Sequence, residues 1–218
     1  MSELLARPEQ DPPVLGVLVS GRGSNLDAIL RAIDAGTLRA RVGLVISGRE
    51  QAPALAFAAA RGIPTATLTL RGHGGSRLAL GEAIVARLRA AQVDLVVLGG
   101  YHLIFDPVVV RAYPNRILNI HPSLLPAFAG GMAPKPQADA LGAGVKIAGC
   151  TAHLVTEELD AGPIIAQAAV AVRDDDSVES LCERILVEEH ELLPRAIALV
   201  LSGTLRLEGK RVIVAHEA

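Results

Sequence analysis

The residues of this chain best suited to chemistry stand in the segment Asn119-Ile-His-Pro-Ser123, at the end of a predicted strand. Side chains two positions apart in a strand point to the same side, so we expect Asn119 and His121 to project together. An amide beside an imidazole can polarise a carbonyl group and move a proton. From this pattern alone, a purely structural role for His121 stays open.

A second candidate is the acidic turn Glu157-Glu-Leu-Asp-Ala-Gly-Pro163. Asp160 lies in this turn between two predicted strands, where its carboxylate could orient the His121 imidazole or stabilise its charge. Spacing alone favours the simpler alternative, a solvated acidic turn.

The third candidate is the glycine-containing turn Gly21-Arg-Gly-Ser-Asn25, between a strand and a helix. Backbone N–H groups at such a helix N-terminus bind anions, and Ser24 and Asn25 can add side-chain hydrogen bonds. No Gly-Lys-Ser/Thr follows, the third glycine of a dinucleotide fingerprint is absent, and Ser47-Gly-Arg49 supplies no acid for a ribose. A phosphomonoester is therefore the favoured ligand, and an ordinary turn capped by Ser24 or Asn25 is the alternative.

Other chemistries receive less support from the sequence. There is no Gly-x-Ser-x-Gly nucleophile elbow, which argues against an acyl-enzyme mechanism. Cys150 and His153 would point to opposite faces of a strand, which argues against a zinc site there. Two cysteines in all form no disulfide framework and fit a reducing cytoplasm.

The elements that must position these residues alternate between strand and helix. Apolar runs predict strands at 14–19, 41–46, 65–70, 93–98 and 116–120, with helices at 26–35, 53–61 and 76–91 and a short one after Asp106. This order predicts an α/β fold with a doubly wound, mostly parallel sheet and helices on both faces. Beyond it we expect a long loop at 124–135, strands at 145–155 and 164–172, a helix at 177–201 and a hairpin at 205–214.

Composition narrows the class of protein. Of the 218 residues, 50% are hydrophobic and 20% charged, which predicts a packed core. The net charge of −2 gives no basic surface for nucleic acid, and no apolar run reaches the roughly 18 residues of a membrane span. We expect a disordered lead-in over 1–13, a single domain over 14–218 and a cytoplasmic protein, monomeric or homodimeric.

The three candidate segments together resemble the phosphoribosylglycinamide formyltransferases, folate-dependent enzymes of purine synthesis. The resemblance rests on Gly23-Ser-Asn-Leu26, on Asn119-Ile-His-Pro-Ser-Leu-Leu-Pro126, and on Glu158-Leu-Asp160 followed by Gly162-Pro163. It runs from Val14 to the end of the long helix. It implies a Rossmann-like N-terminal half and transfer of a formyl group from 10-formyltetrahydrofolate to glycinamide ribonucleotide by direct attack, without a metal.

The resemblance also implies a role for each matching residue. The catalytic trio would be Asn119, His121 and Asp160, supported by Thr151 near a catalytic water and by His153. The substrate phosphate would bind Gly23, Ser24 and Asn25, and the ribose Glu189. The folate would lie along Arg77, His102, Leu103, Ile104, Phe105, Asn119, Thr156, Glu157, Glu158, Leu159 and Asp160.

Two segments depart from the family pattern, and three rival functions stay open. His102 and Leu103 replace the usual Arg or Met beside the folate, and the loop Gly130–Gln137 lacks the usual histidine. The rivals are a formyltetrahydrofolate hydrolase, which usually carries an extra N-terminal domain, an NADP-dependent reductase using Arg49, and a non-catalytic phospho-metabolite sensor.

Overall fold

The computed structural model describes residues 2–5 and 8–214. In chain order the strands and helices are β1 (Ser2–Leu4), β2 (Val14–Val19), α1 (Ser24–Asp34), β3 (Arg41–Ser47), α2 (Pro53–Ala60), β4 (Thr65–Thr67), α3 (Arg77–Ala90), β5 (Leu95–Leu98), α4 (Pro107–Ala112), β6 (Ile117–His121), α5 (Lys135–Gly142), β7 (Ile147–Leu154), β8 (Ile164–Ala171), α6 (Val178–Leu201), β9 (Leu205–Glu208) and β10 (Arg211–Val214). A 3₁₀ turn precedes α3 at Arg71–His73.

The main sheet has seven strands in the order β4-β3-β2-β5-β6-β7-β8. Strand β2 pairs in parallel with β3 and β5, and β3 with β4, whereas β7 and β8 are antiparallel. The predicted α/β fold with a mostly parallel sheet is confirmed.

The chain divides into two compact units, residues 7–118 and residues 1–6 with 119–218. Strand β6 runs through the boundary, with its first two residues in the first unit and Asn119–His121 in the second. The single domain expected from the sequence stays a prediction.

The core of the first unit is strand β2, all six residues of which are buried. Its uninterrupted apolar run suits a parallel strand covered on both faces. The Asp94 carboxylate, just before β5, accepts the backbone N–H groups of Glu9 at 2.9 Å and Val14 at 2.8 Å. These bonds tie the start of β2 to the start of β5.

The second unit contains the end of β6, the β7–β8 pair and the long helix α6, which packs against both strands. Ser177 caps α6 by accepting the Ser180 N–H at 3.2 Å, as the first half of a reciprocal capping box. The β7–β8 register shifts between Ala152 and His153, so Ile165 is the extra residue of a bulge.

Three local features differ from the sequence-based expectations. The disorder expected over residues 1–13 is wrong for β1, which pairs antiparallel with β9 in a small sheet of order β1-β9-β10. Strand β4 ends at Thr67, three residues earlier than expected, and Leu68 donates its N–H to the Ser47 carbonyl. Helix α5 is missing from the expected elements and begins at Lys135, the last residue of the expected loop, where Pro134 and Pro136 indicate a loop in the sequence.

Candidate active site

Strand β6 delivers two polar side chains to its carboxyl end. Asn119 is half-buried, whereas His121, the last residue of the strand, is 3% exposed. The buried apolar residues Leu118 and Ile120 alternate with them. The buried apolar side chains therefore fix the strand in the sheet. Because side chains alternate between the two faces of a strand, Asn119 and His121 point to the same side.

Asp160 lies beside the His121 ring. Its Oδ2 is 3.4 Å from Nδ1 of His121, and its side chain is only 9% exposed. The same oxygen accepts the Gly130 N–H at 2.8 Å. Asp160 adopts a left-handed conformation with φ of 49°, which aspartate tolerates better than most residues. The Asp160 carboxylate is thus a buried contact of the imidazole, although Glu157, Glu158 and Leu159 of the same turn are exposed.

The other nitrogen of His121 also faces an oxygen acceptor. Nε2 lies 3.2 Å from the backbone carbonyl oxygen of Phe128. A ring that carries hydrogen on both nitrogens would satisfy the Phe128 oxygen and the Asp160 carboxylate together. Both ring nitrogens of His121 therefore face oxygen acceptors.

A second histidine holds the Asn119 side chain. His153 lies in β7, is 2% exposed, and its Nε2 is 3.1 Å from Nδ2 of Asn119. Its Nδ1 lies 3.1 Å from the Leu154 carbonyl oxygen. Burial lowers the pKa of His153, although Asp160, whose Oδ1 is 3.7 Å away, acts in the opposite direction. In the neutral ring, Nδ1–H donates to Leu154 and Nε2 accepts one amide hydrogen of Asn119.

Thr151 forms its hydrogen bonds outside the cluster of Asn119, His121, His153 and Asp160. Its hydroxyl is completely buried, donates to the Ser123 carbonyl at 2.7 Å and accepts the Leu125 N–H at 3.0 Å. Gln167 on β8 donates to the same hydroxyl oxygen at 3.0 Å. The hydroxyl thereby fixes the backbone directly after His121, and its expected place near a catalytic water stays a prediction.

The segment 124–134 is attached to the cluster through its backbone. Besides the Phe128 and Gly130 contacts, the Ser123 hydroxyl donates to the Ala127 carbonyl at 2.6 Å. Gln137, at the start of α5, donates to the Pro122 carbonyl at 3.1 Å. No residue type in this segment predicts these contacts, because the groups that His121 and Asp160 bind here are main-chain atoms.

The glycine turn belongs to the first unit, at the carboxyl end of β2. Gly23 has φ of 87°, and a Cβ atom there would lie 2.6 Å from Cβ of Ala54. Glycine is therefore required by both conformation and space. Helix α1 begins at Ser24, and because the preceding residue has no side chain to cap it, the first-turn N–H groups can receive an anion.

The residues that the resemblance assigns to the folate fall into two contiguous groups. In the first unit, His102, Leu103, Ile104 and Phe105 follow β5, and Arg77 is the exposed first residue of α3. In the second unit, Thr156, Glu157, Glu158 and Leu159 precede Asp160. Ile104 and Leu159 are each more than half exposed.

Two of the predicted residues have surroundings the sequence did not suggest. His102 Nδ1 lies 2.6 Å from the Ser20 hydroxyl oxygen, so its side chain contacts the residue directly before the glycine turn. Glu189, on α6, is 7% exposed, and its charge helps to raise the pKa of Cys150, which burial raises most, to about 12.

Within residues 2–5 and 8–214, no group of three His, Cys, Asp or Glu side chains has the arrangement of a metal site. No helix in the same part of the chain is long and apolar enough to cross a membrane.

The chain is similar to a known family and to proteins of known name. The family described as formyl transferase matches residues 15–197. The trifunctional purine biosynthetic protein adenosine-3 of Gallus gallus is 40% identical over 193 residues, which make up 88% of this chain but 19% of that protein. The phosphoribosylglycinamide formyltransferase of Haemophilus influenzae is 38% identical over 194 residues, covering 89% of this chain and 90% of the relative.

Two solved structures share the fold. Glycinamide ribonucleotide transformylase 1 from Symbiobacterium toebii superposes with a TM-score of 0.89 at 47% identity, covering 94% of both chains. A formyltetrahydrofolate deformylase from Pseudomonas syringae superposes with a TM-score of 0.86 at 29% identity, covering 94% of this chain and 66% of the other.

Proposed function

The chain belongs to the formyl transferase family, and we propose that it transfers the formyl group of 10-formyltetrahydrofolate to the amine of 5′-phosphoribosylglycinamide in purine biosynthesis. The observation that carries this proposal is the contact of His121 with Asp160, beside Asn119, at the end of β6. Relatives similar over nearly their whole length bear the name of this activity.

The reaction needs one new bond and one broken bond at the formyl carbon. The substrate amine attacks that carbon and forms a tetrahedral intermediate whose oxygen carries the negative charge. The bond to N10 of the folate then breaks, and the proton lost by the amine goes through water to the departing N10. The protein must bind the oxyanion and guide this proton, and neither task needs a covalent intermediate.

Asn119 would be one donor to the oxyanion. One of its two amide hydrogens points to Nε2 of His153, and the second remains for the substrate oxygen. Because His153 is bonded at both nitrogens, it fixes the rotation of this amide. Such preorganisation lets a neutral donor favour the transition state over the substrate.

His121 would be the second donor, through Nε2. In this structure Nε2 donates to the Phe128 carbonyl, so the formyl oxygen takes over a hydrogen bond that already exists. Asp160 would hold the ring through Nδ1, stabilise its positive charge and help to relay the amine proton through water to N10.

The remaining assigned residues would bind the two substrates. Gly23, Ser24 and Asn25 would hold the phosphate and Glu189 the ribose. The folate would lie along Arg77, His102, Leu103, Ile104, Phe105, Asn119, Thr156, Glu157, Glu158, Leu159 and Asp160. We further propose that the protein is cytoplasmic, is a monomer or homodimer, and binds no nucleic acid.

Hydrolysis of 10-formyltetrahydrofolate is the second candidate, because a deformylase shares the fold. Water would then replace the amine as nucleophile, and the same three side chains would act on the same formyl carbon. The two reactions differ in whether the ribonucleotide is required.

The test is to incubate the purified protein with both substrates and follow release of tetrahydrofolate. The assay is repeated with Asn119→Ala, His121→Ala and Asp160→Asn, and with His73→Ala as a control, since His73 bonds only locally to the Thr69 carbonyl at 2.8 Å. Turnover that requires the ribonucleotide and collapses in the three variants supports the proposal. Turnover without the ribonucleotide identifies the hydrolase, and a folded protein that does neither refutes both.

A further inference from the structure

His102 is held by two hydrogen bonds to one atom in the first unit. Its Nδ1 lies 2.6 Å from Oγ of Ser20, and its backbone N–H donates to the same oxygen at 3.0 Å. Ser20 is 5% exposed, follows β2 directly, and is the residue before Gly21. His102 is therefore attached to the base of the turn that is proposed to bind phosphate.

The backbone after β3 also approaches the His102 ring, at Cε1. A Cβ atom at Gly48 would lie 3.1 Å from Cε1 of His102, so any larger residue at position 48 would crowd the ring. The imidazole thus lies among the carboxyl ends of β2, β3 and β5. In open parallel sheets this is the edge at which ligands bind.

These contacts bear on which nitrogen of the His102 ring carries the hydrogen that a ligand could accept. Burial lowers the pKa of His102, and the nearby charge of Arg49 lowers it further, so both favour the neutral ring. The Ser20 oxygen accepts the backbone N–H of His102, and in one of the two tautomers of the ring the Ser20 hydroxyl donates its own hydrogen to Nδ1. The ring hydrogen is then on Nε2, on the far side of the ring from Ser20.

We propose that His102 is a specificity residue for the phosphorylated substrate: Ser20 fixes its ring so that Nε2–H donates a hydrogen bond to the ribonucleotide bound at the Gly21–Asn25 turn. This inference rests on the proposed function, and it moves His102 from the folate to the other substrate. Arg49, exposed at the end of the Ser47-Gly-Arg49 turn, adds positive charge beside the same ligand.

The test measures each substrate separately with His102→Leu, His102→Gln and Ser20→Ala. We expect His102→Leu to raise the KM for the ribonucleotide, and its Kd measured by calorimetry without folate, about tenfold, since one hydrogen bond is lost. The KM for 10-formyltetrahydrofolate should change less than about twofold. His102→Gln, which keeps an N–H at similar reach, should restore most of the affinity, and Ser20→Ala should weaken ribonucleotide binding about threefold.

His73→Leu is the matched control, because it removes a histidine of the same unit whose Nδ1 bonds only to a local carbonyl. A His102→Leu protein that loses folate affinity instead, or loses both affinities equally, would overturn the inference, as would one that binds the ribonucleotide like the wild type. The Kd separates this inference from the proposed function. Weakened ribonucleotide binding in a protein without turnover would leave His102 assigned and the proposed reaction refuted.

Discussion

The Nδ1 atom of His121 and the Oδ2 atom of Asp160 lie 3.4 Å apart, although the first residue ends strand β6 and the second lies in the turn between β7 and β8. Both side chains are almost fully withdrawn from solvent, and the carboxylate is also bonded to the Gly130 N–H. Screening by water and salt is weak at such a site, so the interaction of an imidazolium with this carboxylate is stronger than that of a surface pair.

Replacing Asp160 with Asn should reduce kcat by about 10²-fold or more, because the ring then loses the charge that stabilises its cation. Steady-state turnover with both substrates saturating measures the effect. Asp139→Asn is the matched control, since Asp139 is a partly exposed aspartate that pairs with Lys135 on α5. An Asp160→Asn enzyme that kept more than half of the wild-type kcat would contradict this role.

Asn119 and His153 should behave as one unit in a double-mutant cycle. Asn119→Ala removes a proposed oxyanion donor and should reduce kcat by about 10²–10³-fold. His153→Ala frees the amide to rotate and should reduce kcat by about tenfold. In the double variant the two fold-losses in kcat should not multiply, because His153 then has no Asn119 amide to hold. Losses that multiplied would show that the 3.1 Å contact between the two residues carries no function.

Stability should fall at mildly acidic pH because His153 is buried as a neutral ring. Its pKa is lowered from the usual 6.5, so below that pH the unfolded chain binds a proton that the folded protein resists. The contribution of His153 is therefore complete above pH 6.5 and is lost as the pH falls toward the folded pKa, by at most about 1.4 kcal/mol per pH unit.

Urea unfolding at several pH values between about 5 and 8 tests this dependence in the wild type, in His153→Gln and in the control His73→Gln. The His153→Gln curve should be flatter than the other two over this range. If the free energy of unfolding depended on pH in the same way in all three proteins, the acid sensitivity would belong to another titratable group.

Gly23→Ala should destabilise the protein for two reasons that a control can separate. The left-handed φ of 87° disfavours any side chain, and the added Cβ would meet Ala54 at 2.6 Å. Gly62 also has a left-handed φ, of 71°, but a Cβ atom added there would have no neighbour within 4 Å, so Gly62→Ala measures the conformational cost alone. We expect Gly23→Ala to reduce the free energy of unfolding by about 1–3 kcal/mol more than Gly62→Ala. Equal losses in the free energy of unfolding would mean that the turn shifts to accommodate the added Cβ atom at no further cost in stability.

The sequence predicts the regular framework and the trio for different reasons. Strand β2 and helix α1 follow from an uninterrupted apolar run and from helical spacing of buried residues, which depend only on neighbours in the chain. The convergence of Asn119 and His121 follows from the period of a strand. The contact with Asp160 does not, since it depends on how the turn after β7 folds back, and only the family resemblance favours it over a solvated turn.

Contacts between distant residues account for what the sequence could not predict. Nothing in the types of Ser20 and His102 indicates that they bond to each other, because each could equally face solvent. Thr151 has the residue type of a water ligand, yet buried backbone groups at Ser123 and Leu125 use its hydroxyl. Helix α5 contains Ala138, Ala140 and Leu141, which favour helix, but Pro134 and Pro136 at its start indicate a loop in the sequence.

The bulge at Ile165 marks the position where the β7–β8 pair can change in chain length without a change in its register. Loss of Ile165 would leave Ala152 opposite Ala166 and His153 opposite Ile164, whereas loss of a residue between His153 and Ile164 would change the turn that carries Asp160. The surface location of that turn would ordinarily permit insertions and deletions. Here the chain length between His153 and Ile164 is itself under constraint, and an alignment of related chains should place its gaps elsewhere.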